Sequence, residues 1–353
     1  MGRLLRILTR NRFAAALEIV LYGVPRPPRR NAFCDFDEKR FIAYSGATAP
    51  DSREAMLGRI AACYHVLEKG ICMPERHLGF GRGIVRQLLP LLERFEARFG
   101  TEDGQEAHAV AVLRAYLALH DPDFVREDRA EAAYWDELRR FLEARPGPVA
   151  EQRHIRREAF FADRDAPFPA FARARHTVRN YVPGAPVPME RIRAAVDVAR
   201  EAPSSCNRQP CRVRCVSDPA AMSRILELQG GSRGFGHLAG TLLLVTVDLA
   251  DATHERERTD PFVCGGMFLM ALSYALFHEE VAHCILNWSR SPSEDCELRK
   301  TVRLSPSENV IAVLACGLAP DEFDVCASPR KRLSEIFVED SRGASGTEED
   351  RQK

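Results

Sequence analysis

The sequence predicts an α+β fold preceded by an all-α segment, on three observations. Up to about residue 145, apolar residues recur at three- and four-residue spacings with no strand-like alternation. The stretch ARPGPVAE, Ala144 to Glu151, then breaks the helical rhythm. Beyond it, apolar runs of strand length alternate with helical segments, the pattern of a mostly buried sheet covered by helices. The chain has 353 residues, 45% of them apolar, enough for two domains with real cores.

In the first half, Met56, Ile60, Tyr64 and Leu67 fall on one helical face, and Gly70 reads as a stop. Ile84, Leu88, Leu92, Phe95 and Phe99 form the next helix, closed by Gly100 and expected to kink at Pro90. Val110, Leu113 and Leu117 give a third, and Tyr134, Leu138, Phe141 and Leu142 a fourth. The charged, proline-marked stretch to about Arg173 reads as a connector.

In the second half, Met189, Ile192, Val196 and Ala199 mark a helix that ends before Pro203. Arg212 to Val216, Thr241 to Val247 and Asn309 to Ala315 read as strands. Helices are expected near Ala220 to Leu228, Phe262 to Val281 and Glu294 to Val302. The end, EDSRGASGTEEDRQK, has Ala344 as its one apolar residue and reads as a disordered tail. The expected organisation is a helical domain over 1–145, a connector over 146–173, a second domain over 174–338 and a tail over 339–353.

Fifty basic residues balance fifty acidic ones, so no global charge attracts nucleic acid, and an anion site has to be local. The eleven cysteines are odd in number and form no C-x-x-C pair, which argues against a disulfide framework and for reduced thiols in a cytoplasm. Cys206, Cys211 and Cys215 match no common metal spacing. The apolar run Phe262 to Phe277 falls short of the roughly 20 residues of a membrane crossing and reads as a buried helix. The opening MGRLLRILTRNRFAAALEIVLYGVP has a basic head, but Glu18 interrupts the apolar stretch and no clean cleavage site follows. It reads either as an ordinary helix with a solvated basic face or as an amphipathic helix touching anionic lipid, peripheral to a membrane.

Chemistry concentrates in two stretches. RHTVRNY supplies Arg175, His176, Thr177 and Arg179; guanidiniums four apart with a hydroxyl between them would share a helical face and suit a phosphate, against a solvated basic turn as the alternative. APSSCNRQPC supplies Pro203, Ser204, Ser205, Asn207 and Gln209. A carboxamide donates and accepts from one side chain, as a planar polar ring requires, though it can equally cap its own turn. GGSRGFGHLAG lacks the strand before and helix after that the dinucleotide fingerprint needs, and reads as a flexible loop. His278 and His283 stand five apart, the wrong spacing for two metal ligands on one helix face.

RHTVRNYVPGAPVPMERIRAAVDVAREAPSSCNRQPCRV resembles the opening of the nitroreductase superfamily of FMN-dependent enzymes, and the resemblance extends over about Ala174 to Phe337. It implies a mixed sheet flanked by helices and a homodimer in which the A-P-S-S-x-N-x-Q loop lies along a flavin, commonly across the dimer interface. Pro203, Ser204, Ser205, Asn207 and Gln209 match that loop; Arg175, His176, Thr177 and Arg179 match the side of FMN's phosphate, ribityl chain and pyrimidine. Arg330 matches a C-terminal basic residue that closes on the phosphate. The backbone around Asn287, Trp288 and Ser289 matches the place of an amide against flavin N5. Cys211 stands where the family often has an aromatic residue.

The implied activity is hydride transfer from NADH or NADPH to the flavin and on to a nitro, quinone or enone acceptor, with no protein nucleophile and no metal. The first half is foreign to minimal members. Its segment YHVLEKGICMPERHLGFG looks like one found ahead of nitroreductase domains in bacterial polysaccharide-cluster proteins. His65, Glu68, Lys69 and Arg76 would then form a second site or a lid, or merely cap a helix end. The rival expectations are flavin-dependent modification of a polysaccharide precursor or peptide-like substrate, and a silent scaffold at a membrane surface with a polysaccharide-synthesis partner.

Overall fold

The computed structural model describes residues 32–46, 50–101, 103–120 and 122–339. The basic N-terminal stretch and nearly all of the expected tail lie outside the described residues. The chain divides into two compact units. A helical unit gathers Ser45–Ile71, His77–Glu151 and the residues from Ala327 onward; a sheet unit gathers the residues up to Tyr44, Cys72–Arg76 and Gln152–Cys326.

The first described helix, α1 (Ala32–Tyr44), belongs to the sheet unit. The helical unit is built from α2 (Arg53–Ile71), α3 (Arg82–Phe99), α4 (Gly104–Leu119), α5 (Pro122–Glu127) and α6 (Ala132–Glu143). The apolar stripes of the four longer helices meet in one core that encloses Trp135 and Tyr116. Asp103 starts α4 by accepting the backbone N–H of Gln105 at 2.8 Å, satisfying a donor that the first turn cannot pair internally. α3 runs through Pro90, whose side chain is exposed. Gly70 does not stop α2 but lies in its last turn, where a Cβ would come within 2.0 Å of the Phe80 ring. Its smallness serves close packing.

In the sheet unit the expected connector carries β1 (Arg153–Arg156), α7 (Arg157–Phe160) and α8 (Phe168–Ala174). There follow α9 (Met189–Ala199), β2 (Cys211–Val216), α10 (Pro219–Gln229), β3 (Thr241–Asp248), α11 (Asp260–His278), β4 (Ala282–Asn287), α12 (Pro292–Thr301), β5 (Glu308–Gly317) and β6 (Glu322–Val325). β1 and β6 form an antiparallel ribbon, and the main sheet has the order β2-β3-β5-β4. The resemblance implies mixed pairing, but the three ladders of this sheet are all antiparallel. β3 and β4, joined by the α11 crossover, do run in the same direction; β5 inserts between them and turns every neighbouring pair antiparallel.

The alternation of side chains along β3 and β5 explains their continuous apolar composition. Leu243, Val245, Leu314 and Cys316 face one core with residues of α9 and α11, while Leu242, Leu244, Val313 and Ala315 face the other with residues of α10 and α12. Both faces are covered. α11 is apolar and long enough to cross a membrane by composition, but here half of it is buried in the unit. At Gly265 it approaches the sheet so closely that a Cβ would meet Ile311 at 2.7 Å.

Candidate functional site

The carboxamide loop and the residues after β4 lie toward the same end of the sheet but at opposite edges. Loop 203–210 leads into β2, one edge strand, and Asn287 to Ser289 follow β4, the other. Asn287 pairs with Ala312, Ala312 with Val245 and Val245 with Val213, so the end of β4 lies two residues inward of the start of β2. Three interstrand spacings, about 14 Å, separate the edges.

On the β4 side, the segment after α8 carries Arg175, His176, Thr177 and Arg179. It is not helical, so the shared helical face expected for the two guanidiniums is not formed. The Arg175 N–H closes α8 on the carbonyl of Phe171, and the chain then leaves the helix because the Val178 N–H donates to the carbonyl of His283 in β4, at 3.0 Å. The buried Tyr181 hydroxyl donates to the carbonyls of Val178 and Ala315 at 2.8 and 2.9 Å, pinning the segment to the sheet. Arg179 is buried and its Nη1 reaches Cys326 Sγ at 3.4 Å. The Trp288 indole donates to Asp295 at 3.0 Å, while Asn287 and Ser289 are exposed. Gln229, buried at the end of α10, joins this edge by donating to the Asn287 carbonyl at 3.0 Å and accepting the Gly231 N–H at 2.7 Å.

On the β2 side, Cys206, Asn207 and Gln209 all have positive φ, at 51°, 55° and 54°. Left-handed backbone is uncommon for cysteine and glutamine, and each such residue costs on the order of 1 kcal/mol or more. The loop persists because it is held at several points. Ser204 Oγ accepts the Gln209 N–H at 3.0 Å, and Ser205 Oγ donates to Asp260 at 3.0 Å. Arg208 pairs with Glu257 at 2.7 Å. Pro203, Asn207 and Gln209 remain exposed, and the Gln209 amide donates to Asn207 Oδ1 at 3.2 Å. The carboxamides thus hold each other in position while facing outward.

The glycine-rich stretch after α10 is packed rather than loose: Phe235, Gly236 and Ser232 are buried. It lines a groove of about 720 Å³ with Met222, Leu226, Arg233 and His237. No motif announces this groove, because its walls come from α10 and a returning loop. None of the twelve expected site residues lines it.

The remaining candidates divide between the units. In the helical unit, Glu68 is fully buried, and its Oε1 accepts from His108 Nε2 at 2.8 Å and from the Ser328 N–H at 3.3 Å. Burial pushes its carboxyl up, but hydrogen bonds from His108 and His65 prevail and hold it at about 2. Glu68 therefore does more than cap a helix end. Arg330 lies in this unit too, exposed, with Nη1 donating to the Ser328 carbonyl at 2.6 Å. Arg76 instead belongs to the sheet unit and pairs with Asp324, which also takes His154 at 2.8 Å. No cluster among the described residues is suited to a metal ion.

From the end of α8 through loop 203–210 to just beyond α10, the sequence matches the model of the Nitroreductase family over residues 172–232. The nitroreductase match spans Arg175 to Arg179, α9, the carboxamide loop, β2 and α10. Similar solved structures include a nitroreductase family protein from Clostridium difficile, 21% identical, covering 48% of this chain and 96% of its own, with a TM-score of 0.40. A nitroreductase-like protein from Streptococcus mutans is 18% identical, covering 48% and 96%, at 0.41. A protein from Desulfovibrio desulfuricans described as a nitroreductase in complex with FMN is 23% identical, covering 49% and 96%, at 0.40. Likenesses of this size carry no functional argument. A search of curated proteins returns no significant match.

Proposed function

We propose that the chain is an FMN-dependent oxidoreductase that takes hydride from NADH or NADPH and delivers it to a small organic acceptor of nitro, quinone or enone type. The nitroreductase-family segment supports the class. The donor set supports the cofactor: guanidiniums and a hydroxyl at Arg175, Thr177 and Arg179 suit a phosphate, and Asn207 and Gln209 suit the alternating donors and acceptors of a flavin's pyrimidine edge. Bound FMN would supply the redox chemistry; the chain binds and orients it and keeps cations near its pyrimidine side, which favours the reduced, anionic form.

One observation carries the arrangement. The basic segment, bonded to the edge strand β4, and the strained carboxamide loop, which leads into the edge strand β2, stand at opposite edges of one sheet, too far apart to grip one ring system within a single chain. We infer that the protein is a homodimer in which each FMN takes its phosphate side from one protomer and its carboxamides from the other. An exposed apolar stripe on α11, formed by Val263, Met267 and Met270, supports such an interface.

The test is hybrid complementation. Arg175→Ala with Arg179→Ala, and separately Asn207→Ala with Gln209→Ala, are each expected to yield colourless protein. Heterodimers of the two variants are expected to regain one yellow, NAD(P)H-bleachable site per dimer, read by absorbance. Hybrids that stay colourless while wild type binds FMN would reject the shared site, and a wild type that refuses FMN would reject the function.

A further inference from the structure

We propose that the groove between α10 and the glycine-rich loop behind it binds a small organic acid, an apolar body ending in one carboxylate. At about 720 Å³ it falls within the range of small-ligand sites. It opens at Ser217 and Gly240, just outside the Val216–Leu242 pair that ends the β2–β3 ladder. Loop 203–210 enters β2 at the other end, about 17 Å away along the strand.

The walls are fixed before any ligand arrives. Phe235 is fully buried and holds the loop down between its glycines. The Gly240 N–H donates to the Cys316 carbonyl at 2.9 Å, and a Cβ on Gly240 would collide with the carbonyl of Ala185. Opposite, Met222, Ser223 and Leu226 present one face of α10. A groove that is already ordered loses little freedom on binding.

The polar groups along it select the ligand. Ser232 has only 6% of its surface open, and its hydroxyl forms no hydrogen bond among the described residues. A side chain at Gly236 would cover that hydroxyl, because a Cβ there would stand 2.7 Å from Ser232 Oγ. An enclosed hydroxyl left unbonded is unfavourable, which points to a partner brought by a ligand. Arg233 and His237 line the same wall, and neither side chain has an ion pair or hydrogen bond among the described residues. Among those residues the one acid on the groove, Glu227, is taken by Arg224 at 2.9 Å. The forked N–H groups of a guanidinium suit a carboxylate, and one guanidinium balances one charge, which favours a carboxylate over a phosphate. Met222, Leu226 and Pro186 leave apolar surface for the rest of the molecule.

The experiment is calorimetric titration of the full chain, with FMN added, using biphenyl-4-carboxylate and its neutral analogue biphenyl-4-methanol. The expected result is one acid bound per chain. The dissociation constant is expected to be at least tenfold weaker in Arg233→Ala with His237→Ala, and at least tenfold weaker for the alcohol on wild type. Arg233 and His237 are exposed, so their removal leaves the packing of the loop intact. Asn207→Ala with Gln209→Ala is expected to bind the acid as wild type does. A wild type that takes up no acid at millimolar concentration overturns the site, as does a constant within twofold of wild type in the Arg233 and His237 variant. Equal binding of acid and alcohol overturns the carboxylate. Loss of binding in the Asn207 and Gln209 variant would move the acid to the carboxamide loop and overturn the groove.

Discussion

His283 is held neutral by burial. It is fully enclosed on β4, and Nδ1–H donates to the Val281 carbonyl at 3.0 Å, leaving Nε2 to accept from the Ser273 hydroxyl at 2.7 Å. Burial first, and Arg175 second, press its pKa from 6.5 down to about 4, although the carbonyl bond resists. An unfolded chain therefore takes up a proton near pH 6.5 that the folded one refuses until about pH 4. The stabilisation is present above pH 6.5 and is lost as pH falls through this window, about 3 kcal/mol in all. His283→Gln keeps a partner for Ser273 but cannot titrate. Urea denaturation at pH 7 and pH 4.5 is expected to show a smaller loss for the variant than for wild type; equal losses would free His283 of this role. Sequence spacing spoke against a metal role for His283, but only the strand's burial reveals what the imidazole does.

At the scale of elements, periodicity was a good guide where one face of a helix is buried and a poor one where chain reversal depends on a single backbone angle. The four longer helices of the first half, with β2, β3, β5 and α9 to α12, lie near their expected positions. β4 was hidden because Ala282, His283 and Cys284 prolong the apolar run of α11; the break is made at Glu280, with φ at 55°, which no residue type announces. Side-chain pairing between helices was equally silent. Glu106 on α4 is pushed up to about 7, first by burial and then by the neighbouring carboxylate of Glu96 on α3, which Arg145 holds at 2.7 Å. A carboxyl whose folded pKa is raised favours folding most below its unfolded value near 4.5, and that contribution disappears as pH rises through 7. Glu106→Gln removes the penalty. Melting at pH 8 is expected to rise by a few degrees relative to wild type, about 1 kcal/mol after solvent screening, with little gain at pH 5. A gain as large at pH 5 would show that packing, not ionisation, is the cause.

At the scale of the whole molecule, motif spacing singled out the two stretches proposed for the flavin site, but not their separation. Residue order cannot show that loop 203–210 and Arg175–Arg179 reach opposite edges of one sheet, because strand order is set by the insertion of β5 between β3 and β4. Nor does it show that the first half contributes to the second unit. Cys72–Arg76 count with the sheet unit, where Met73 is buried in its core beside Phe235 and lies 3.2 Å from the position a Cβ would take on Gly234. Arg76 ties the same segment to Asp324 on β6. A chain begun at residue 152 would therefore lack part of its own core, although it keeps every strand and the whole family match. Losing a buried methionine costs about 2 kcal/mol or more, before the ion pair and the covalent tether are counted. Met73→Ala in the full chain is expected to lower the melting temperature of the sheet unit by several degrees, and the chain from residue 152 by more, both followed by circular dichroism and by release of FMN fluorescence. If the truncated chain melts with wild type and keeps its flavin, the first half is a dispensable appendage, and Met73 merely fills space that the sheet unit can close without it.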